Sequence, residues 1–345
     1  MRVDARIDTR RGAESGMSSE ASPRFGRLDS RVGEQDADAT VAGLDGWQLP
    51  AKMLLDALQP IEYLRESAWL GHIPFLFSLL GLHQPRRFVE LGTHNGASFF
   101  SACQAVRDNG IDCECVAIDH WMGDVQAGVF TEQVFDDFHA TLTQDFPGIG
   151  TFVRADFADA ANEFADGSID LLHIDGFHSY EAVSTDLETF RNKLRERAVV
   201  IFHDVNEFQT SFGTWRFWRE LEEQHPRRTM FFGHWHGLGV LSLDVDPLSP
   251  VNQLMDRCAD GDLLAFLQHY YVAIYANEAR AQIRVREAVM SQRERVDAAK
   301  AQTAEARVLA AEAATQADKV RASYESSTSW RVTRPLRALR GRTKG

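Results

Sequence analysis

Cysteine is scarce in this sequence. Cys103, Cys113, Cys115 and Cys258 are the only four in 345 residues, and no two form a C-x-x-C pair. Neither a zinc site nor a disulfide framework is indicated, and buried, reduced thiols in a cytoplasmic protein are expected. Long apolar runs are missing too. "IPFLFSLLGL" (73–82) is about half the roughly 20 apolar residues that a membrane span needs, and it contains Pro74, so it reads as a buried helix. The N-terminus lacks the basic-then-apolar pattern of a secretory signal. Basic charge is in deficit: 37 Lys and Arg against 50 Asp and Glu leave a net charge of −13, which argues against nucleic acid as a general partner.

The residues that are present divide the chain into four parts. Residues 1–45 carry Arg, Asp, Glu, Ser and Gly with few large apolar groups, and disorder is expected there because too little surface can be buried to offset ordering. Residues 46–262 are expected to form one domain. Within it, short β-rich runs alternate with helical patterns: "RFVEL" (87–91), "CECVAI" (113–118), "TFVRA" (151–155), "IDLLHI" (169–174) and "AVVIF" (198–202). That alternation predicts a doubly wound, mostly parallel α/β sheet. "TMFFG" (229–233) and "LGVLSL" (238–243) add a closing antiparallel hairpin, for seven strands in all. Residues 263–325 are Ala-rich, and the stretch 271–325 has neither Gly nor Pro, which predicts a long helix and allows a weak coiled coil. Residues 326–345 form a basic tail.

Polar groups concentrate where strands end, which is where α/β sheets bind ligands. "FVELGTHNGASFF" (88–100) is a strand, a glycine turn and a helix start. Gly92 and Gly96 permit a tight turn and a close backbone approach, with Ser98 in the first helical turn. By itself this spacing fits a ligand loop or a packing turn equally well. Asp119 ends the next strand, where an acid can accept hydrogen bonds from both ribose hydroxyls of an adenosine ligand; the alternative is a turn or capping residue. The glycine spacing departs from the G-x-G-x-x-G of dinucleotide sites, and Glu90 precedes it. A carboxylate there suits a positively charged cofactor without a pyrophosphate, and S-adenosylmethionine fits better than a nicotinamide dinucleotide.

"VELGTHNGASFFSACQAV", "AIDHWMGD", "IDLLHIDGFHSYEAVSTDLETF", "VVIFHDV" and "FGTWRFWREL…HGLGVL" together resemble the class I S-adenosylmethionine-dependent methyltransferases. The likeness is to the bacterial branch with macrocin- and mycinamicin-type sugar O-methyltransferases, and it runs from about residue 67 to Leu243. It implies a Rossmann-like fold, with Glu90, Gly92, Thr93, Gly96 and Ser98 around the methionine part of the cofactor, Asp119 at its ribose, and Asp156 and Phe157 at its adenine. In those enzymes an Asp-x-x-His element supplies a metal ligand and the base. Asp175 and His178 match it, so His178 is expected to take the proton. Asp175, His203 and Asp204 are expected to hold a divalent cation, Mg²⁺ for preference. His203 stands where the branch carries an acid, which shifts the preference toward softer ions.

The resemblance implies an O-methyltransferase whose acceptor is a sugar in a bacterial surface glycan or a glycosylated metabolite. The rival reading is a non-catalytic assembly protein of a glycan-biosynthesis complex, built on a vestigial core. An iron oxygenase built on His173, Asp175 and His203 is disfavoured by the alternating strand–helix pattern. His173 is expected to be a core histidine, and Glu181 and Asp186 to be solvated. The tail "SSTSWRVTRPLRALRG" resembles the ends of surface-polysaccharide proteins. Its Arg331, Arg334, Arg337 and Arg340 suit contact with an anionic membrane, placing the protein at the inner membrane face. The long helix is expected to join a second copy or glycan-assembly partners.

Overall fold

The computed structural model describes residues 40–42, 48–63, 65 and 67–328. The N-terminal stretch expected to be disordered lies mostly outside these residues, as does all but the start of the basic tail. Within 1–45, Thr40–Ala42 instead form a strand, β1, which pairs antiparallel with β2 (Gln48–Pro50).

Helices α1 (Ala51–Asp56) and α2 (Ile73–His83) precede the main sheet. The chain then runs through β3 (Arg87–Leu91), α3 (Ala97–Asn109), β4 (Glu114–Asp119), a small hairpin of β5 (Gly123–Asp124) and β6 (Gly128–Val129), and α4 (Glu132–Asp145). It continues through β7 (Gly150–Arg154), α5 (Phe157–Ala160), β8 (Ile169–Ile174), α6 (Tyr180–Phe190) and β9 (Leu194–His203). The last elements are α7 (Thr214–Gln224), β10 (Thr229–Phe232), β11 (Leu238–Ser242), α8 (Pro250–Cys258) and α9 (Asp262–Ser326). The seven-stranded sheet has the order β10-β11-β9-β8-β3-β4-β7. Pairs among β9, β8, β3, β4 and β7 are parallel, whereas β11 runs antiparallel to both β9 and β10. This is the doubly wound, Rossmann-like architecture that the alternating pattern predicts.

Two apolar layers sandwich the sheet. One joins Phe75, Phe77, Phe88, Phe99 and Phe100 from α2, β3 and α3. The other joins Val89, Leu91, Leu172, Val183, Leu187 and Trp218. Alternation along β3 therefore puts Phe88 and Glu90 on one face and Val89 and Leu91 on the other.

The boundary expected at residue 262 cuts through the first layer. Leu263, Leu267 and Tyr271, on the first turns of α9, are buried, and the Tyr271 ring lies 5.7 Å from Phe75 and 5.9 Å from Phe232. The i, i+4, i+8 spacing of these three side chains makes one helical stripe, and it completes the core. Farther on, Met290, Val296, Val308, Leu309 and Val320 are exposed. Among the described residues no helix is long and apolar enough to cross a membrane.

Candidate active site

The C-terminal ends of five adjacent parallel strands open into a cavity of about 610 Å³. Gly92 follows β3, Asp119 ends β4, Asp156 follows β7, Asp175 follows β8, and His203 and Asp204 close β9; all line it. A parallel sheet directs its free polar ends to this edge, and the volume is that of a small-molecule site.

At one end the acids are held by backbone amides. Asp119 Oδ2 accepts from the amides of Thr93 and His94, both at 2.9 Å, and Oδ1 accepts from the Trp121 amide at 2.6 Å. A carboxylate has about four lone-pair positions, so Asp119 has room for one ribose hydroxyl rather than the two expected from sequence. Gly92 has φ 86°, and a Cβ there would collide with the Asp175 carbonyl oxygen. The turn therefore packs against the end of β8 and also lines the cavity, so both readings of the loop hold. Thr93 and Ser98 line the cavity too, and Thr93 Oγ1 is buried without a partner. Phe157 supplies an aromatic ring and Asp156 an exposed carboxylate.

Glu90 and Gly96 were expected at this end but do not line it. Glu90 shares the face of Phe88 and is fully buried, with Oε2 2.8 Å from His173 Nδ1. The Trp69 indole N–H donates to His173 Nε2 at 2.9 Å, which leaves the ring proton on Nδ1 to be given to Glu90. His173 is thus a fully satisfied core histidine. Burial pushes the Glu90 acid up, opposed by His173. Gly96 has φ 81° and abuts the Phe100 ring as the residue before α3.

At the other end the acids are held by imidazoles. His203 Nδ1 lies 3.2 Å from Asp175 Oδ1 and 3.3 Å from Asp204 Oδ1, and His178 Nε2 lies 3.0 Å from Asp204 Oδ2. Asp204 leaves β9 in a left-handed conformation (φ 58°), which a short polar side chain tolerates better than most. Burial alone would lower the His203 pKa, but Asp175 and Asp204 outweigh it and raise it to about 10. Burial likewise opposes His178, whose pKa is nevertheless raised by the hydrogen bond and charge of Asp204. Asp204 and Asp175 are resisted by burial but held low by His203, with His178 assisting. The His178 ring stacks on Phe212 at 5.0 Å and 8°, and with Nε2–H given to Asp204 its Nδ1 is the free base.

This geometry corrects the expected metal set. Asp175, His178 and Asp204 each offer a ligand atom within 4.8 Å of the others. His203 is not in the group, and its Nδ1 is turned to both carboxylates. It stands behind them as a cation.

Three lining residues were not expected at the site from the sequence. Gln126, in the β5–β6 turn, accepts from the His178 amide through Oε1 and donates to the Ser211 carbonyl through Nε2, each at 3.0 Å. Phe212 supports the His178 ring. Asp186, expected to be solvated, lines the cavity, and burial pushes its acid up to about 7. Its spacing from buried Val183 and Phe190, three and four residues away, was the available signal.

Residues 89–205, about a third of the chain, match a sequence family described as a methyltransferase domain. This segment is similar to a methyltransferase domain. An uncharacterized protein of Sinorhizobium fredii is 41% identical over 183 residues, or 53% of this chain, and the chain spans 20% of that relative's length. The O-methyltransferase TomG of Streptomyces achromogenes, involved in tomaymycin synthesis and solved with S-adenosylmethionine, is 16% identical with a TM-score of 0.40, over 56% of this chain and 90% of its own. A methyltransferase of Geobacter sulfurreducens is 16% identical with a TM-score of 0.37, over 50% and 78% respectively. At these values the two structures carry no assignment of acceptor. The cavity has room for a nucleoside cofactor, with an unpartnered Thr93 hydroxyl, remaining capacity on Asp119 and the Phe157 ring.

Proposed function

We propose that the methyltransferase domain carries a methyl group to a hydroxyl of a sugar, in a bacterial surface glycan or a glycosylated metabolite, with His178 as general base. The observation that carries this reading is the His178 ring. It is held by Asp204 on one side and Phe212 on its face, in the same cavity that Asp119 and the Gly92 turn line.

Bound S-adenosylmethionine supplies an electrophilic methyl on a sulfonium. Asp119 and the Gly92 turn bind and orient the nucleoside. His178 Nδ1 would accept the hydroxyl proton as the oxygen displaces sulfur from the methyl carbon and the neutral thioether leaves, and Asp204 would stabilise the imidazolium that results. His203 fixes both carboxylates in place. Asp175 and Asp204 could hold a divalent cation through two hard oxygens, and such a cation would lower the hydroxyl's pKa; if His178 completed that set, it would give up the role of base. A sugar acceptor is supported by the resemblance to sugar O-methyltransferases and by Phe130, Phe177 and Phe212, whose rings line the cavity and can stack on a sugar's C–H face. On the same reading the exposed part of α9 joins a second copy or a glycan-assembly partner, and the basic tail meets the inner membrane face.

The test is mass spectrometry of glycans from native cells with and without the protein, followed by transfer of labelled methyl to the candidate acceptor in vitro. Loss of a methyl ether in the deleted strain and labelling that requires His178 are expected. Labelling that persists in His178→Ala with chelator present would remove both base and metal, leaving only proximity. Cofactor binding without transfer to any acceptor would favour the assembly role.

A further inference from the structure

Each carboxylate at the acid–base end faces an imidazole, whereas Asp186 has no such partner. Among the described residues no hydrogen bond or ion pair reaches its carboxyl group. It projects from the buried side of α6, two turns into the helix, and its Oδ2 and the Phe157 ring both border Gly176, within 4 Å of where a Cβ there would stand. A half-buried acid beside an aromatic ring, at a cavity wall and with no partner, has hydrogen-bonding capacity that folding leaves unused. Leaving a polar group in that state costs stability unless a ligand completes it.

We propose that Asp186 reads the base of the bound cofactor. Its carboxyl group pairs with the amidine edge of adenine, accepting the exocyclic N–H on C=O and giving its O–H to the neighbouring ring nitrogen, while Phe157 stacks on the ring. This rests on the reading that the cavity holds S-adenosylmethionine. With His178 at the reacting methyl and Thr93 and Ser98 at the start of α3, the Phe157 side is the part of the cavity left for the base. Adenine there needs a flat apolar surface and a group that both donates and accepts. A carboxylate only accepts, but a neutral carboxylic acid does both. Burial without a cation nearby keeps a proton available on Asp186 near neutral pH. Asp156 lines the same region but is exposed, where water competes for its hydrogen bonds.

Calorimetry on the full chain tests this with two ligands: S-adenosylhomocysteine, and its purine riboside analogue in which hydrogen replaces the exocyclic amine. Wild type should bind the analogue about tenfold more weakly, the worth of one buried hydrogen bond. Asp186→Leu, which loses both hydrogen bonds, should weaken S-adenosylhomocysteine about a hundredfold and the analogue about tenfold, and so bind the two alike. Asp186→Asn, whose amide also donates and accepts, should keep the preference. Equal weakening of both ligands in Asp186→Leu would show a structural role and overturn the proposal, as would an unchanged preference. Loss of the preference in Asp186→Asn would overturn the neutral-acid pairing. Failure of wild type to bind S-adenosylhomocysteine at all would instead overturn the cofactor reading on which the proposal stands.

Discussion

The two ends of the cavity use the same residue, aspartate, against opposite kinds of partner. Asp119 is held by three backbone amides, which carry no titratable charge. Asp175 and Asp204 are held by His203 and His178, which do. One end is a mould fixed by backbone. The other is a set of coupled proton sites, suited to chemistry rather than to grip.

The largest expected effect separates the two ends outright. His178→Ala should lower the methyl-transfer rate by about 10²–10⁴, the usual worth of a general base, and leave S-adenosylhomocysteine affinity nearly unchanged. A matching loss of affinity by calorimetry would mean that the ends are not independent. Asp119→Ala is the converse. Removing an acceptor that three amides share should weaken S-adenosylhomocysteine by roughly 1.5–3 kcal/mol and leave the pH dependence of single-turnover rates unmoved.

A third expectation concerns that pH dependence. His178 must be deprotonated to act, and Asp204 raises its pKa above the ordinary 6.5. The rate should therefore rise with pH through a point above 6.5 and then level. Asp204→Asn removes the carboxylate and should move the rise to lower pH. A rise that continues into alkaline solution and vanishes with chelator would point to a metal-ionised hydroxyl instead.

The smallest effect tests an acid that breaks the pattern, since Asp186 at the base end has neither amide nor imidazole. Its folded pKa of about 7 lies above the ordinary 3.8, so the protein is stabilised with Asp186 protonated and loses that advantage as pH rises from about 4 through 7. Without ligand, Asp186→Asn should be more stable than wild type at pH 8, by on the order of 1 kcal/mol given partial exposure, and the gap should close below pH 4. A constant gap at all pH values in thermal melts would assign the effect to packing.

Much of this site was legible because strand ends are adjacent in sequence to the groups they present. "VELGTHNG", "AIDH", "HIDGFH" and "IFHD" each deliver their polar residues within a few positions of a strand, and the fold brings the strands side by side. What escaped depended on direction or distance. Glu90 differs from a lining residue only in the face of β3 that it occupies. Gln126 reaches His178 across 52 residues from a hairpin whose strands have two residues each, too short for any periodic signal. The shared Nδ1 of His203 could not be separated from a metal ligand without coordinates. The end of the domain was misplaced for another reason. The Ala- and Glu-rich composition of the long helix obscured Leu263, Leu267 and Tyr271, a stripe that belongs to the core.

That helix sets the hydrodynamic behaviour of the chain. At 1.5 Å per residue, the roughly 50 residues beyond Tyr275 extend for about 75 Å, twice or more the span of an ordinary helix-and-sheet domain. A rod of that length attached to a globule raises friction much more than mass. The protein should elute from a sizing column well ahead of a sphere of 38.8 kDa and sediment more slowly than its mass requires, even as a single chain. Light scattering, which reads mass without regard to shape, is the measurement that keeps elongation from being mistaken for assembly.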